Sequence, residues 1–299
     1  MDVRVALKVD IDTYIGLRDG VPALARALEQ RGLRASFFVS CGPDHSGRAI
    51  RRLLKPGFFA KMMRTKAPSM YGWRTILYGT LLPGPQIARS FPGHLKALAE
   101  AGHEVGVHGY DHVYWHDRLA SLGEPEVRAE LQRGLATYRD VVGAPAQSFA
   151  APGWQCTSAS LAAIDDAELR YHSCTRGRTP YRPAVGDRVF RTAEIPTTWP
   201  TLDEVYGVEG TDAETLNRFY LSRLEPGLNV HTIHTEVEGM SLLSTFESLL
   251  DALAPRASFV RLIDAAASLD TASLPICQVR PGTLAGRAGT VAVQDDSAA

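Results

Sequence analysis

The stretch "VRVALKVDID", residues 3–12, has the pattern of a buried β-strand that ends on two acidic residues. Asp10 and Asp12 stand two residues apart at its carboxyl end, and side chains at that spacing leave the same face of a strand. Neighbouring carboxylates repel, so such a pair is typical of a site that holds a cation or a shared proton. The alternative for Asp12 is a helix N-cap.

Further apolar runs alternate with helical patterns along the chain. The runs are "ASFFVS" (35–40), "HEVGVHG" (103–109), "SFAAPG" (148–153), "YHSCTR" (171–176), "AEIPTT" (193–198), "LNVHTIHTE" (228–236) and "SFVRLID" (258–264), with helical patterns at 20–32, 92–102, 124–143 and 242–255. This alternation predicts an α/β fold, a distorted (β/α) barrel of seven or eight parallel strands. In such barrels the chemistry lies at the carboxyl ends of the strands.

Composition sets the domain organisation. The chain has 299 residues, 45% hydrophobic side chains and a net charge of −1, which favours one main domain, residues 1–269, and argues against general polyelectrolyte binding. Residues 270–299 are rich in Ala, Gly and Ser and are expected to form an extension with a disordered end. No export signal or long apolar run is evident, and the four cysteines lack close spacing, so a cytoplasmic protein is expected.

Residues 45–88 interrupt the alternation after the second strand. Between residues 45 and 99 there is no Asp or Glu, but there are ten Lys or Arg. In the sequence, the basic residues Arg51, Arg52 and Lys55 are followed closely by the apolar residues Phe58, Phe59, Met62 and Met63. This composition predicts a basic amphipathic insert that contacts anionic lipids of the inner membrane. A lid over the barrel is the alternative, and nucleic acid is disfavoured because no base-reading motif is present.

The stretch "VHGYDH", residues 107–112, places two histidines four residues apart around a glycine that lets the chain turn. Together with Asp12, His108 and His112 would form a set of three ligands with open positions, as in catalytic divalent-metal sites. Zinc is the first candidate, and cobalt, manganese or nickel would also suit these donors. Two packed core histidines are the alternative. His231 and His234 lie three apart on one strand, so only one can point into the barrel mouth, the carboxyl end of the strands.

The motifs "VDID", "HGYDH" and "TIH" in this order resemble those of the polysaccharide deacetylase family, also called the NodB-homology or carbohydrate esterase family four. The resemblance covers roughly residues 4–265. It implies that Asp10 is the general base, that Asp12, His108 and His112 hold the metal, and that His234 is the general acid. In the family's first motif the two acids are usually adjacent, whereas Ile11 separates them here.

The third motif departs from the family. In "FAAPGWQ", residues 149–155, Ala151 stands where the family has an arginine, so the partner that neutralises the base must be absent or come from elsewhere. The amide of Gly153 is a candidate oxyanion donor. Trp154 and Trp199 are candidate walls of a sugar pocket, with a core position as the alternative for each.

A closer resemblance is to one branch of this family, the deformylases of undecaprenyl-phosphate-linked 4-deoxy-4-formamido-L-arabinose. It rests on "HTEVEGM", "AAPGWQ", "MYGW" and "ASFFVSCGPDHSGRAIRRLLKPGFFAKMM". The resemblance implies removal of a formyl group at the cytoplasmic face of the inner membrane, before lipid A modification. Two alternatives remain: another cytosolic amide hydrolase of the same fold that acts on a soluble substrate, and a non-catalytic, membrane-associated metal-binding module.

Overall fold

The computed structural model describes residues 2–48, 75, 77–287 and 289–295. Within them, the main sheet has eight strands, and every adjacent pair is parallel. The strands are β1 (Val3–Ile11), β2 (Ser36–Val39), β3 (Glu104–Val107), β4 (Ser148–Ala150), β5 (Tyr171–Ser173), β8 (Ala193–Glu194), β9 (Gly227–His234) and β10 (Ser258–Val260). The sheet curves into a half-barrel, which confirms the predicted α/β architecture.

Helices surround this sheet, most of them on its outer face. They are α1 (Val21–Glu29), α2 (Ile87–Ser90), α3 (Pro92–Glu100), α4 (His112–Arg118), α5 (Glu124–Val142), α6 (Ser158–Asp166), α7 (Leu202–Val205), α8 (Ala213–Leu221), α9 (Leu243–Leu253) and α10 (Leu262–Ala267). The four predicted helical patterns are therefore confirmed, with boundaries shifted by a few residues. Local sequence sets several helix starts: Asp111, for example, accepts a hydrogen bond from the Tyr114 amide and caps α4.

Alternation along β1 separates two layers of side chains. Val5, Leu7, Val9 and Ile11 pack against the outer helices in the larger core cluster. Ala6 faces the barrel interior, where it joins a second cluster with Phe38, Ala150, Tyr171, Ile195, Val230 and Leu262. Lys8 and Asp10 follow Ala6 at two-residue spacing on this inner face. The polar residues of β1 therefore lie above an apolar floor.

The hydrogen-bond ladder of the barrel is open between β8 and β9. The predicted strand at 193–198 is a regular strand only over Ala193–Glu194, where it pairs with β5, although the amides of Ile195 and Thr197 still donate to the His172 and Thr175 carbonyls. Pro196, between them, has no N–H to donate toward β9. Instead, the amides of Thr198 and Trp199 both donate to the Val230 carbonyl at 3.1 Å. We call this contact between residues 197–199 and β9 the seam.

The C-terminal stretch forms a second sheet with two short strands from the middle of the chain. Strand β11 (Ile276–Gly282) pairs parallel with β6 (Arg182–Val185) and antiparallel with β12 (Val291–Asp295), and β6 also pairs with β7 (Arg188–Val189). Its apolar face packs on α6. Residues 296–299, expected to be disordered, lie outside the described residues.

Candidate active site

Asp12, His108 and His112 converge from three elements at the barrel mouth. Asp12 follows β1, His108 follows β3, and His112 is the first residue of α4. The Nε2 atoms of His108 and His112 lie 3.3 and 3.4 Å from the two carboxylate oxygens of Asp12. One donor atom from each residue lies within 4.8 Å of the others, so the three could hold one metal ion.

The hydrogen bonds around this trio fit a cation. His108 Nδ1 donates to the Ala150 carbonyl at 2.9 Å, which leaves the Nε2 lone pair directed at Asp12. Asp12 Oδ1 is buried and accepts no hydrogen bond from any described residue. Two acceptor atoms that face each other at 3.3 Å are stable only with a positive charge between or beside them. The donor set therefore suits a divalent ion.

The charge of Asp12 is set by two opposing effects. Burial alone would raise the pKa of its carboxyl, but His112 and His108 lower it, and the resulting pKa lies well below its usual range. Asp12 is therefore ionised at all physiological pH values, the state required of a metal ligand.

A buried ion pair lies beside the trio. Lys8 Nζ donates to Asp10 Oδ2 at 3.0 Å, and both residues are at most 3% exposed. The same carboxylate oxygen is 3.9 Å from His108 Nε2. Lys8 thus supplies the positive charge that Ala151, in the third motif, lacks. The sequence carried this signal, because a lysine in a buried strand, two residues before an acid, must share that acid's face.

His234 lies opposite Asp10 in the register of β1 and β9. Its amide donates to Glu238 Oε2 at 2.8 Å, and its side chain is close enough to Asp12 to lower that residue's pKa. His231, three residues earlier, is buried between Tyr220 and Trp199, with ring centroids at 4.6 and 5.5 Å. Burial lowers the pKa of His231 to about 3, so it is a neutral core histidine.

Two buried acids behind the site were missed by sequence reasoning. Glu236 Oε1 accepts hydrogen bonds from the amides of Asp12 and Thr13 at 3.2 and 2.8 Å, and Glu238 holds the amide of His234. Burial raises the pKa of each to about 8. Glu236 therefore fixes the backbone after β1, and Glu238 fixes the backbone at the end of β9. Their signal was the pair of acids in "HTEVEGM", at the end of the apolar strand that carries His234.

The turn that carries Gly153 requires glycine. Gly153 has φ +60°, and a Cβ there would lie 2.1 Å from Cδ2 of the His116 ring. Trp154 follows it and is 2% exposed, with Nε1 donating to Thr197 Oγ1 at 3.0 Å. Trp199 packs in the core on Tyr220 and donates to the Arg223 carbonyl. This is the core position that was the alternative to a pocket wall for Trp199.

The predicted membrane-facing residues of the insert lie outside the described residues. The described part of the insert comprises residues 45–48, 75 and 77–88. The residues outside it are Arg51, Arg52, Lys55, Phe58, Phe59, Met62 and Met63. Among the described residues, no helix combines the length and apolarity that a bilayer span requires.

The parallel half-barrel with a His-His-Asp trio at its mouth defines a class of amide-bond hydrolase, and the comparisons with known proteins agree. The polysaccharide deacetylase model matches residues 3–172, and the chain belongs to this family. A probable 4-deoxy-4-formamido-L-arabinose-phosphoundecaprenol deformylase from Shewanella sediminis is 39% identical over 83% of this chain and 80% of its own. The protein of the same name from Wigglesworthia glossinidia brevipalpis is 31% identical over 94% and 98%.

Solved structures show the same fold. A Mycobacterium smegmatis structure assigned to the polysaccharide deacetylases superposes with a TM-score of 0.64 at 20% identity, covering 94% of each chain. The Bc1960 peptidoglycan N-acetylglucosamine deacetylase gives 0.54 at 16% identity, covering 88% of this chain and 87% of its own. The barrel is therefore of the deacetylase type.

The Lys8–Asp10 pair gives a first prediction. Lys8→Met should lower the free energy of unfolding by about 3–5 kcal/mol, because it leaves the Asp10 carboxylate buried without a counter-charge. The double variant Lys8→Met/Asp10→Asn should recover part of this loss, since no charge then remains, and Lys8→Arg should lose least. Urea unfolding measures all three. Equal losses in the single and double variants would show that the pair is not coupled.

Glu238 gives a second prediction. Its pKa is about 8 in the fold, against 4.5 for an ordinary glutamate, so the folded protein holds a proton that the unfolded chain releases. Wild-type stability should therefore fall as pH rises from about 4.5 to about 8, by up to about 1.4 kcal/mol per pH unit from this group. Glu238→Gln removes this pH-dependent contribution. The free energy of unfolding of the variant should therefore rise relative to that of the wild type between about pH 4.5 and about pH 8.

The measurement is urea unfolding of both proteins at pH 5.5, 7 and 8.5. Glu236 titrates in the same window in both proteins and cancels in the difference. A stability difference that stays constant with pH would mean that Glu238 is already ionised in the fold.

Proposed function

We propose that this protein removes the N-formyl group of 4-deoxy-4-formamido-L-arabinose phosphoundecaprenol. The product is the 4-amino-4-deoxy-L-arabinose lipid used to modify lipid A, a modification that confers resistance to polymyxin and other cationic peptides. The observation that carries the proposal is the convergence of Asp12, His108 and His112 beside the Lys8–Asp10 pair. The names of the two deformylase relatives support the choice of substrate.

In this proposal Asp12, His108 and His112 hold one divalent ion, with zinc as the first candidate and cobalt, manganese or nickel as alternatives. When bound, such an ion supplies Lewis acidity that makes water nucleophilic near neutral pH and stabilises a developing oxyanion. The protein fixes the ligands in advance. The Ala150 carbonyl orients His108, and the caps at Asp111 and Glu236 hold the backbone around His112 and Asp12.

Asp10 and His234 divide the proton transfers. Asp10 lies next to the trio, with Oδ1 making no hydrogen bond to a described residue, and it accepts the proton of the attacking water. Lys8 holds the other oxygen of Asp10 in place at 3.0 Å. His234, opposite Asp10 across the β1–β9 register, protonates the leaving amine, without which an amide is a poor substrate. The Gly153 amide donates to the oxyanion.

The third prediction tests the reaction itself. Wild-type protein with a defined divalent metal should convert the formamido-arabinose lipid to the amino lipid with loss of formate, detected by mass spectrometry. Asp10→Asn and His234→Ala should each lower turnover by roughly two to four powers of ten with little change in melting temperature. His231→Ala is the matched control, because His231 lies in the core and its loss should reduce stability instead.

Two outcomes would overturn these assignments. If His231→Ala is inactive when folded while His234→Ala remains active, the wrong histidine has been chosen. If the wild type hydrolyses an N-acetyl sugar or a soluble amide and leaves the lipid-linked formamide intact, the protein is another amide hydrolase of this fold.

The fourth prediction concerns metal content. Asp12→Ala, His108→Ala and His112→Ala should each lose bound metal and activity together, because each removes one of three protein ligands. Inductively coupled plasma mass spectrometry of the purified variants gives the metal-to-protein ratio, with His231→Ala as the control that retains metal. Full occupancy in His108→Ala and His112→Ala would exclude this trio as the metal site.

We also propose that the insert, residues 45–88, brings the barrel mouth to the cytoplasmic face of the inner membrane, where the sugar is held by its polyprenyl phosphate. The support is the run of basic and apolar residues in the sequence, since each Lys or Arg near an anionic surface contributes about 1 kcal/mol. Nucleic acid is not an expected partner.

The fifth prediction tests this docking. Co-sedimentation should show binding to anionic vesicles that weakens with salt and with the combined variant Arg51→Glu/Arg52→Glu/Lys55→Glu. The variant should lose activity on the full lipid but keep it on a short-chain soluble analogue. Equal losses on both substrates would mean that the insert shapes the active site rather than the membrane contact.

A further inference from the structure

The loop between β11 and β12 reaches the active site. Its described residues are 283–287 and 289–290, and the side chain of Arg287 contacts Gly153 and Trp154 at the rim of the barrel. The guanidinium carbon of Arg287 is 4.6 Å from the ring centroid of Trp154, and Nη2 is 3.5 Å from the Gly153 carbonyl oxygen. The C-terminal segment therefore supplies a cation next to the residue proposed to stabilise the oxyanion.

This arginine belongs to a cluster of positive charges around Trp154. Lys8 Nζ and the Arg176 guanidinium carbon lie 5.2 and 4.9 Å from the same ring centroid. Lys8 is fully buried and paired with Asp10. Arg176 places Nη1 at 3.0 and 3.1 Å from the two oxygens of Glu204 and donates to the Trp199 carbonyl through Nη2. Lys8 and Arg176 are therefore each paired with a buried carboxylate.

Arg287 is the outermost of the three cations, with a side chain 15% exposed. Its Nη1 is 3.6 Å from Oε1 of Glu204, the carboxylate that already holds Arg176. Two guanidinium groups thus approach one carboxylate. Of these two, Arg287 is the more exposed, with 15% of its side chain accessible against 9% for Arg176.

The loop is held rigidly enough to place this side chain. At Gly286, with φ +77°, a Cβ would lie 2.4 Å from the Glu204 carbonyl oxygen, so the backbone passes directly over α7. Gln155 Nε2 donates to the Thr290 carbonyl at 2.8 Å, and the Arg176 amide donates to the Ala292 carbonyl at 2.9 Å. Both sides of Arg287 are therefore anchored to the rim of the barrel, which preorganises the guanidinium.

We propose that Arg287 binds the phosphodiester that joins the sugar to its lipid, an inference that rests on the proposed function. In the proposed substrate the phosphodiester is on C1 and the formamide on C4, at opposite ends of one sugar ring. Gly153 links the two ends: its Cα faces His116, whose ring lies 6.5 Å from that of His112, and its carbonyl contacts Arg287. A guanidinium matches a phosphate with two parallel hydrogen bonds, and the partly desolvated face of Trp154 strengthens them.

The carboxylates at the mouth are already matched, because Lys8 pairs with Asp10 and the two imidazoles face Asp12. A positive charge fixed at the phosphate end therefore adds a net attraction for an anionic substrate. It also selects a sugar phosphodiester over the neutral glycans, because a neutral sugar would leave Arg287 without the stronger interaction.

The test uses a pair of formamido-arabinose substrates, one with a short-chain C1 phosphodiester and one a neutral methyl glycoside. Arg287→Gln should raise KM for the phosphodiester roughly 10- to 100-fold, the usual effect of losing hydrogen bonds to a charged group, with kcat close to that of the wild type. Turnover of the methyl glycoside should not change. The KM of Arg287→Lys for the phosphodiester should lie between those of the wild type and Arg287→Gln, because lysine keeps the charge but cannot make the two parallel hydrogen bonds of a guanidinium.

Arg280→Gln is the matched control, since Arg280 is on the same hairpin with a side chain 59% exposed and pairs with Asp295. It should leave both substrates unaffected. Equal losses of Arg287→Gln on the two substrates, or no loss on the phosphodiester, would overturn the proposal.

A binding measurement separates this proposal from the proposed function. Isothermal titration with an arabinose C1 phosphodiester that has no formamido group should show binding to the wild type and 10- to 100-fold weaker binding to Arg287→Gln. Binding of this form in a protein that does not release formate would refute the deformylase reaction and retain the phosphodiester site. Absence of binding to the wild type would refute the site even if deformylation occurs.

Discussion

The register of β1 is the constraint on which the site depends. β1 pairs with β9 along one edge and with β2 and β10 along the other, so its position is fixed from both sides. In that register Asp10 lies opposite His234, and Lys8 lies on the inner face below Asp10. A slip of one residue would turn Lys8 and Asp10 into the apolar helix layer. The backbone hydrogen bonds between β1 and β9 therefore set the positions of Asp10 and His234 relative to each other.

Local sequence predicted the barrel and the trio because both are encoded by short patterns. Apolar runs mark buried strands, and the two histidines lie within six residues of one another. Long-range pairing could not be predicted: the sheet that joins residues 182–189 to 276–295 brings together segments almost 90 residues apart. The partner of Asp10 was predictable in principle, because Lys8 lies two residues earlier on the same face of β1, although the family pattern has the partner at the position of Ala151. Burial of Glu236 and Glu238 also depends on tertiary packing.

Charge balance explains why the interior tolerates so many ionisable groups. Each buried carboxylate near the mouth is matched by a cation or by backbone amides: Lys8 for Asp10, the two imidazoles for Asp12, and the amides of residues 12–13 and 234 for the two glutamates. The glutamates avoid the desolvation cost in another way, because burial raises their pKa to about 8 and keeps much of the population neutral at pH 7. The site thus concentrates donors and acceptors without a large uncompensated charge.

The seam differs from the rest of the barrel wall in how its two sides are joined. Most adjacent strands of the sheet pair in register over two or more residues, but residues 197–199 meet β9 through a bifurcated carbonyl and through hydroxyls, among them a 2.7 Å contact between Thr197 and Thr232. Thr197 also receives the indole N–H of Trp154. Thr197 thus ties the rim next to Gly153 to β9, so a local separation of the seam would also displace the rim of the mouth, at a free-energy cost below that of global unfolding.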